Sequence, residues 1–205
     1  MTKNRTTIAA SFGLAVMAAA PLSAYAQAAT RGVYVGVGAG QAEAVNYTDR
    51  VCDPNLVTSA TNCKKIGSTY RFFGGWQFGR NWGLEFGYTD LGKVTANTPG
   101  TFDQSLKARV SEMTLLASLP LNERFAIYGK AGAYYGTSST ETTQNGVSQR
   151  VSQSRSNVTF AGGIQWYMTN HFALRGEGQH YMKVGTAVGD LDYNVYTVGL
   201  LYKFQ

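Results

Sequence analysis

The sequence predicts an all-β protein, an eight-stranded antiparallel up-and-down transmembrane β-barrel. Apolar residues recur with period two in segments of about ten residues, the spacing of a strand with one apolar face. The connections between these segments alternate short and long, and charged residues share a face with glycine while aromatic residues hold the other face. A soluble barrel or sandwich, lipocalin-like in the nearest case, turns its apolar face inward; a barrel whose outer wall meets lipid does the reverse.

The segments follow in order. Residues 32–41 set Val33, Val35, Val37 and Ala39 against Tyr34, Gly36, Gly38 and Gly40. Residues 69–78 set Tyr70, Phe72, Trp76 and Phe78 against Arg71, Gly75 and Gln77, and residues 82–91 set Trp82, Leu84, Phe86 and Tyr88 against Gly83, Glu85, Gly87 and Thr89. Residues 109–119 place Met113, Leu115, Ala117 and Leu119 opposite Glu112, Thr114, Leu116 and Ser118. In 125–135, Ile127, Ala131, Ala133 and Tyr135 oppose Tyr128, Lys130 and Gly132. In 160–168, Phe160, Ile164, Trp166 and Met168 oppose Ala161, Gly163 and Gln165. Residues 172–182 carry Phe172, Leu174 and Met182 against Arg175, Glu177 and Gln179. The last segment, 194–204, carries Tyr196, Val198, Leu200, Tyr202 and Phe204 against Val195, Thr197, Gly199 and Leu201.

Short turns are expected at 79–81, 120–124 and 169–171, and long polar loops at 43–67, 92–105, 139–157 and 184–192. Short periplasmic turns and longer external loops characterise outer-membrane barrels. Trp76, Phe78, Trp82, Phe125, Trp166, Phe172, Tyr202 and Phe204 flank the short turns or the C-terminus, as an interfacial aromatic girdle does.

The N-terminus reads as a secretory signal over residues 1–26: Lys3 and Arg5, an apolar run over 8–20, then the small-x-small site Ser23-Ala24-Tyr25-Ala26. That run falls short of the roughly 20 residues a membrane helix needs. The barrel domain is expected over 27–205. Cys52 and Cys63, outside the reducing cytoplasm, are expected to close a loop by a disulfide contributing up to about 3 kcal/mol; metal binding competes poorly, because no histidine lies near. Eighteen basic against 12 acidic residues give a formal charge of +6, which invites a nucleic-acid reading. Two of those charges leave with the signal. Arg31, Arg80, Arg124 and Lys203 gather near the short turns against Glu123, where phospholipid headgroups explain them without nucleic acid.

The run from Phe73 to Gly92, F-G-G-W-Q-F-G-R-N-W-G-L-E-F-G-Y-T-D-L-G, resembles the second hairpin of the OmpA-type transmembrane barrel. Leu119-Pro120, Ile127-Tyr128, the stretch Leu174-Arg175-Gly176-Glu177 and the terminal Val198-Gly199 with Tyr202-Lys203-Phe204 are similar to later strands of that family, so the resemblance spans nearly all of the chain after the signal. It implies a monomeric barrel whose lumen is plugged by a polar network, with Glu85 and Arg175 at positions of an interior salt-bridge cluster. It also implies contact with the outer-membrane assembly machinery through the terminal strand, although Phe204 stands one place from the end. The chain departs from the family where Leu116 replaces a lumenal Lys and Gln165 a Glu, so the family's switchable ion pairing does not carry over. The resemblance covers the barrel alone, and no peptidoglycan-binding domain is expected after Gln205.

By strand parity the lumen holds Arg71, Lys130 and Arg175 against Glu85, Glu112 and Glu177, with Gln77, Gln165 and Gln179 beside them. Equal numbers of each sign suit a dry interior, where an unpaired charge is expensive. An eight-stranded lumen is just wide enough for side chains, which favours a plug over a narrow pore. No enzyme, cofactor or metal site is expected: the two histidines, His171 and His180, have no serine placed for a nucleophilic pair. At the outer rim, Lys107, Arg109 and Lys183 are candidate contacts for lipopolysaccharide phosphates. The expected role is structural and surface-displaying in the Gram-negative envelope; the alternatives are an adhesin acting on a host or surface ligand through its loops, and a narrow pore.

Overall fold

The computed structural model describes residues 31–45, 62–79, 81–98, 102–144, 147–187 and 189–204, with the side chains of Cys63 and Phe102 outside that description. Strand pairing accounts for most of them: β1 (Gly32–Val45), β2 (Asn62–Lys64), β3 (Ile66–Gln77), β4 (Trp82–Thr98), β5 (Phe102–Pro120), β6 (Phe125–Gln144), β7 (Val147–Tyr167), β8 (Phe172–Thr186) and β9 (Gly189–Lys203). Each long strand pairs antiparallel with its sequence neighbour, β1 pairs with β9, and β4 pairs with β5, so the sheet closes into an eight-stranded barrel. The short β2 adds to β4 through Asn62, Cys63 and Lys64 opposite Asn97, Ala96 and Thr95.

The wall is inside-out relative to a soluble protein. Trp76, Phe86 and Ile164 are more than half exposed on the outer surface, while Glu85 is fully buried and Arg71 is 3% exposed. Outward apolar residues run along β6 from Phe125 to Tyr135, then give way to Thr137, Ser139, Glu141 and Thr143. A barrel strand needs about 9–11 residues to cross a bilayer, so this band is the membrane-spanning part and the rest of β6 stands beyond it. At the other end lie the short turns, where local hydrogen bonds set the chain reversal. Asn122 Oδ1 accepts the amides of Arg124 and Phe125, both at 2.8 Å. Thr169 Oγ1 accepts those of His171 and Phe172. Phe125 stacks on Trp166 beside these turns, and Tyr202 packs edge-on against Phe172 and Phe204, forming the expected girdle.

Three of the expected long loops are instead strand. Segments 92–105, 139–157 and 184–192 continue β4–β5, β6–β7 and β8–β9 almost to the hairpin tips. Their polar residues hid this: 147–158 is exposed on both faces, and in 92–105 and 184–192 bulges in β4 and β8 break the alternation that would reveal the inward Val94, Ala96 and Val184. The fourth expected loop, 43–67, falls largely outside the described residues, as do the signal segment and Cys52, and with them the Cys52–Cys63 pairing. β7 pairs with β6 over its whole length but with β8 only over Thr159–Tyr167. Among the described residues, 147–158 therefore has a strand on one side only, and the β6–β7 hairpin forms a ribbon flanked by β5 along its β6 side and open along its β7 edge.

Two bulges interrupt the alternation near the rim, between Asp90 and Lys93 on β4 and between Tyr181 and Val184 on β8. Each contains a left-handed residue, Gly92 at φ 76° and Lys183 at φ 52°. Each shifts the inward parity by one, so that Val94 and Ala96, and Val184 with Thr186, follow Leu91 and Tyr181 into the interior. A Cβ on Gly92 would also collide with the Ser68 carbonyl oxygen. Gly92→Ala is expected to destabilise the refolded barrel by about 2 kcal/mol or more, seen as a lower urea midpoint. Lys183→Gly is expected to raise that midpoint, by an equivalent of about 1 kcal/mol. Shifts of the same sign in both variants would contradict this account of the bulges.

Candidate functional site: the lumenal charge network

All six charges placed in the lumen by parity are buried there together: Arg71, Glu85, Glu112, Lys130, Arg175 and Glu177, none more than 6% exposed. They come from five strands, β3, β4, β5, β6 and β8, and interlock across the barrel axis. Arg71 donates through Nη2 to Glu85 Oε1 at 2.9 Å and Glu112 Oε1 at 2.5 Å, and through Nη1 to Glu177 and to Gln179 Oε1. Lys130 Nζ lies 2.9 Å from Glu85 Oε1, 2.8 Å from Glu177 Oε1 and 3.7 Å from Glu112 Oε1. Arg175 donates to Glu85 Oε2 at 2.5 Å and turns Nε and Nη2 to Gln165 Oε1 at 3.1 and 2.9 Å.

Each carboxylate is completed by one tyrosine hydroxyl on its second oxygen. Tyr34 donates to Glu85 Oε2 at 2.8 Å, Tyr128 to Glu177 Oε2 at 2.7 Å and Tyr181 to Glu112 Oε2 at 2.8 Å. Charge-assisted donors thus occupy one side of the carboxylates and phenols fill much of the other, which is how buried ions recover the hydration they lose. Gln179 adds a donor to Glu112 and anchors to Thr159 on β7. The Arg175 guanidinium also stacks among Tyr34, Phe73 and Tyr128, at 4.8–5.4 Å from the ring centroids. Small residues make room: a Cβ on inward-facing Gly87 would stand 2.8 Å from Glu112 Oε1.

The network is sealed at both ends. Toward the hairpin tips, Leu91, Val94, Leu106, Val110, Tyr134, Tyr181, Val184, Leu191 and Tyr193 form a buried apolar layer. Toward the short turns, Tyr34, Phe73, Ala173, Leu201 and Tyr167 form a second. The void in this lower part, bordered by Gln77, Tyr128, Gln165 and Lys203, has a volume of about 20 Å³, room for about one water. Lys203 corrects the sequence reading that set it beside headgroups: it is 5% exposed and faces this void. Arg31 and Arg124 are exposed as expected, and Arg80 lies outside the described residues.

Gln77, Gln165 and Gln179 are buried with the charges, as parity predicts. The three tyrosines were legible by the same parity but carried no charge to single them out. Part of the apolar layer toward the tips, Val94, Ala96 and Val184, was hidden by the two bulges, and part fell in the segments read as polar loops. The rim cations do not form one group: Lys107 and Arg109 are exposed on β5, while Lys183 sits in the β8 bulge with its amide on Asp192 Oδ1. Lys107 instead stands opposite Lys93, a residue the sequence reading passed over. His171 stacks on Tyr202 at the outer surface, and His180 meets Phe160 and Asn194 there; neither reaches the lumen.

Residues 27–205 match the model of the family described as OmpA-like transmembrane domain. Outer membrane protein A of Klebsiella pneumoniae is 30% identical over 138 residues, 64% of this chain and 40% of that protein; the chain thus spans well under half the length of the OmpA relatives it matches. Among solved structures, Ail, the attachment invasion locus protein of Yersinia pestis, superposes with a TM-score of 0.57 at 16% identity, covering 85% of this chain and all of that one. Neisserial surface protein A superposes with a TM-score of 0.56 at 15% identity, over 84% and 97% of the two chains.

The network's geometry makes Glu85 the acid with the most cationic partners, Arg71, Lys130 and Arg175, with the Tyr34 hydroxyl beside them. Glu85→Gln removes one charge from a balanced set and is expected to destabilise the barrel by about 3–5 kcal/mol. Glu85→Gln combined with Lys130→Met restores the balance and should cost less than the two single changes together. Urea unfolding of the four proteins measures this cycle, and additivity within about 0.5 kcal/mol would show that the two residues do not act as a pair.

Proposed function

Because the chain belongs to the OmpA-like transmembrane domain family, integral to the outer membrane, we propose that it is a sealed barrel that stabilises the envelope and carries its hairpin tips to the cell surface. The family is one of non-enzymatic barrels. In this reading residues 1–26 are removed, 27–205 form a monomeric barrel inserted by the outer-membrane assembly machinery, and both termini and the short turns face the periplasm. Lys107, Arg109 and Lys183 then meet the phosphorylated surface of the outer leaflet, where lipopolysaccharide is the partner. The observation that carries the reading is the continuous filling of the lumen, apolar above and below a neutral charge network. An ion would have to displace both apolar layers to pass. Purified protein in planar bilayers is therefore expected to show no stable single-channel conductance under moderate voltage; a long-lived open level in most insertions would establish the narrow pore instead.

The β6–β7 ribbon favours a second reading, recognition of a host or surface ligand. It presents Ser148, Gln149, Arg150, Ser152, Gln153 and Ser154 to solvent, with an open strand edge among the described residues. Such an edge is a template for pairing with another chain unless it is protected. Shortening the ribbon by deleting 138–153 should leave heat-modifiable migration in SDS gels intact and abolish adhesion of expressing cells to a surface or host cell. Undiminished adhesion would remove the ribbon from that role.

A further inference from the structure

Lys93 and Lys107 stand directly opposite each other on the outer faces of β4 and β5, both exposed. Like charges in that position destabilise an antiparallel pair, and among the described residues neither lysine forms an ion pair. Lys93 faces outward because of the β4 bulge: without it, the alternation that turns Glu85, Thr89 and Leu91 inward would bury Lys93 as well. Asp90 braces this arrangement. Its Oδ1 accepts the Gly92 amide at 2.8 Å, and its Oδ2 accepts the Tyr70 hydroxyl at 3.1 Å and Arg109 Nε at 3.2 Å. Arg109, 60% exposed, is thereby held one row nearer the apolar band than the two lysines.

Below these cations the lipid-facing wall carries a shallow, open depression. A groove of about 640 Å³ runs over Val35, Val37, Phe72, Phe86 and Tyr88, with Gly74 among its lining residues. Gly74 faces outward between Val35 and Phe86 and leaves the gap by having no side chain. From Phe86 to Lys93 the strand runs roughly 20 Å, which at a tilt of about 40° spans about half the hydrocarbon thickness of a bilayer. The groove thus lies near the midplane when the lysines lie at the surface of one leaflet.

We propose that the outer face of β3, β4 and β5 seats one phosphorylated, acylated glycolipid of the outer leaflet. A phosphate bridges Lys93 and Lys107 beside Arg109, and an acyl chain descends the wall into the Gly74 groove. A phosphate monoester carries about −1.5 to −2 charge and so matches the two lysines, which form no ion pair among the described residues, whereas the diester of an ordinary glycerophospholipid carries a single charge. Free phosphate would satisfy the cations and leave the groove empty. The proposal rests on the outward placement of the hairpin tips, but its test does not.

The refolded chain in detergent is titrated with bisphosphorylated lipid A and followed by native mass spectrometry, with dephosphorylated lipid A, phosphatidylglycerol and inorganic phosphate as separate arms. One lipid A is expected to stay bound, and Lys93→Ala with Lys107→Ala to weaken it on the order of tenfold, equivalent to about 1.4 kcal/mol. Gly74→Leu should weaken it too. A Cβ there meets only the Tyr34 carbonyl oxygen at 3.4 Å and Val35 Cγ1 at 3.6 Å, so the wall accepts a side chain; unchanged heat-modifiable migration checks the fold of each variant. Wild-type affinity in the double lysine variant, equal binding of dephosphorylated lipid A or of phosphatidylglycerol, or displacement by inorganic phosphate overturns the phosphate seat. Wild-type affinity in Gly74→Leu overturns the acyl groove. Such failures leave the sealed barrel and its orientation untouched, because neither enters the measurement.

Discussion

The constraint on which the rest of the structure depends is the neutrality of the charge network in the middle of the lumen. Closing eight strands leaves an interior that side chains must fill, and along the membrane-spanning part the lipid outside takes most of the large apolar faces. What remains for the middle of the barrel is polar, so it has to be self-satisfying. Three cations, three carboxylates and three tyrosines achieve this across six strands, with partners as far apart as 106 residues in sequence. Because the six ions come from five strands, a one-residue slip of any of those strands turns a charge into lipid and leaves its partners bare. The network therefore sets register as well as filling space, a role that Leu and Val in a conventional core share among many interchangeable contacts.

The two bulges mark where that arrangement stops. Below them the interior is ionic; above them the parity shift brings Val94, Ala96 and Val184 inward beside Leu91, Leu106, Tyr181 and Tyr193. The change coincides with the level at which the outer wall passes from aromatic to polar. Where lipid claims the apolar side chains outside, the inside is charged; where water surrounds the wall, the inside becomes an ordinary apolar core. A single extra residue in a strand is enough to exchange the two faces, and Gly92 and Lys183 adopt the left-handed backbone that this requires.

Period two made the lumen legible from the sequence: Arg71, Glu85, Glu112, Lys130, Arg175 and Glu177 fall on the inward face by counting alone, and all six are buried. Counting fails where its assumption fails. It could not pass the bulges, so Lys93 went unnoticed and the upper apolar layer was unforeseen. It also depends on two unlike environments. In the stretch 139–157 water lies on both sides of much of the ribbon, no contrast between faces survives, and strand reads as loop. Tyr34, Tyr128 and Tyr181 lay on the inward parity throughout, but a tyrosine gives no sign in sequence whether its ring or its hydroxyl is the point of contact.

A filled lumen also restricts where this protein can act. Its interior is committed to holding the strands in register, and two apolar layers separate that interior from either aqueous phase. Interaction is left to the outer wall and the projecting ribbon, which have different chemistries. The wall has the chemistry to meet what dissolves in a bilayer and is charged at its surface, aromatic and aliphatic side chains topped by Arg109, Lys107 and Lys93. The ribbon offers hydroxyls, amides and an open backbone edge to solutes and chains in water. These surfaces are joined by rigid β-strands but share no ionisable group with the lumen. Substitutions on the ribbon or at the rim can therefore change recognition without disturbing the balance of charge that holds the barrel, whereas a single change among the six lumenal ions cannot.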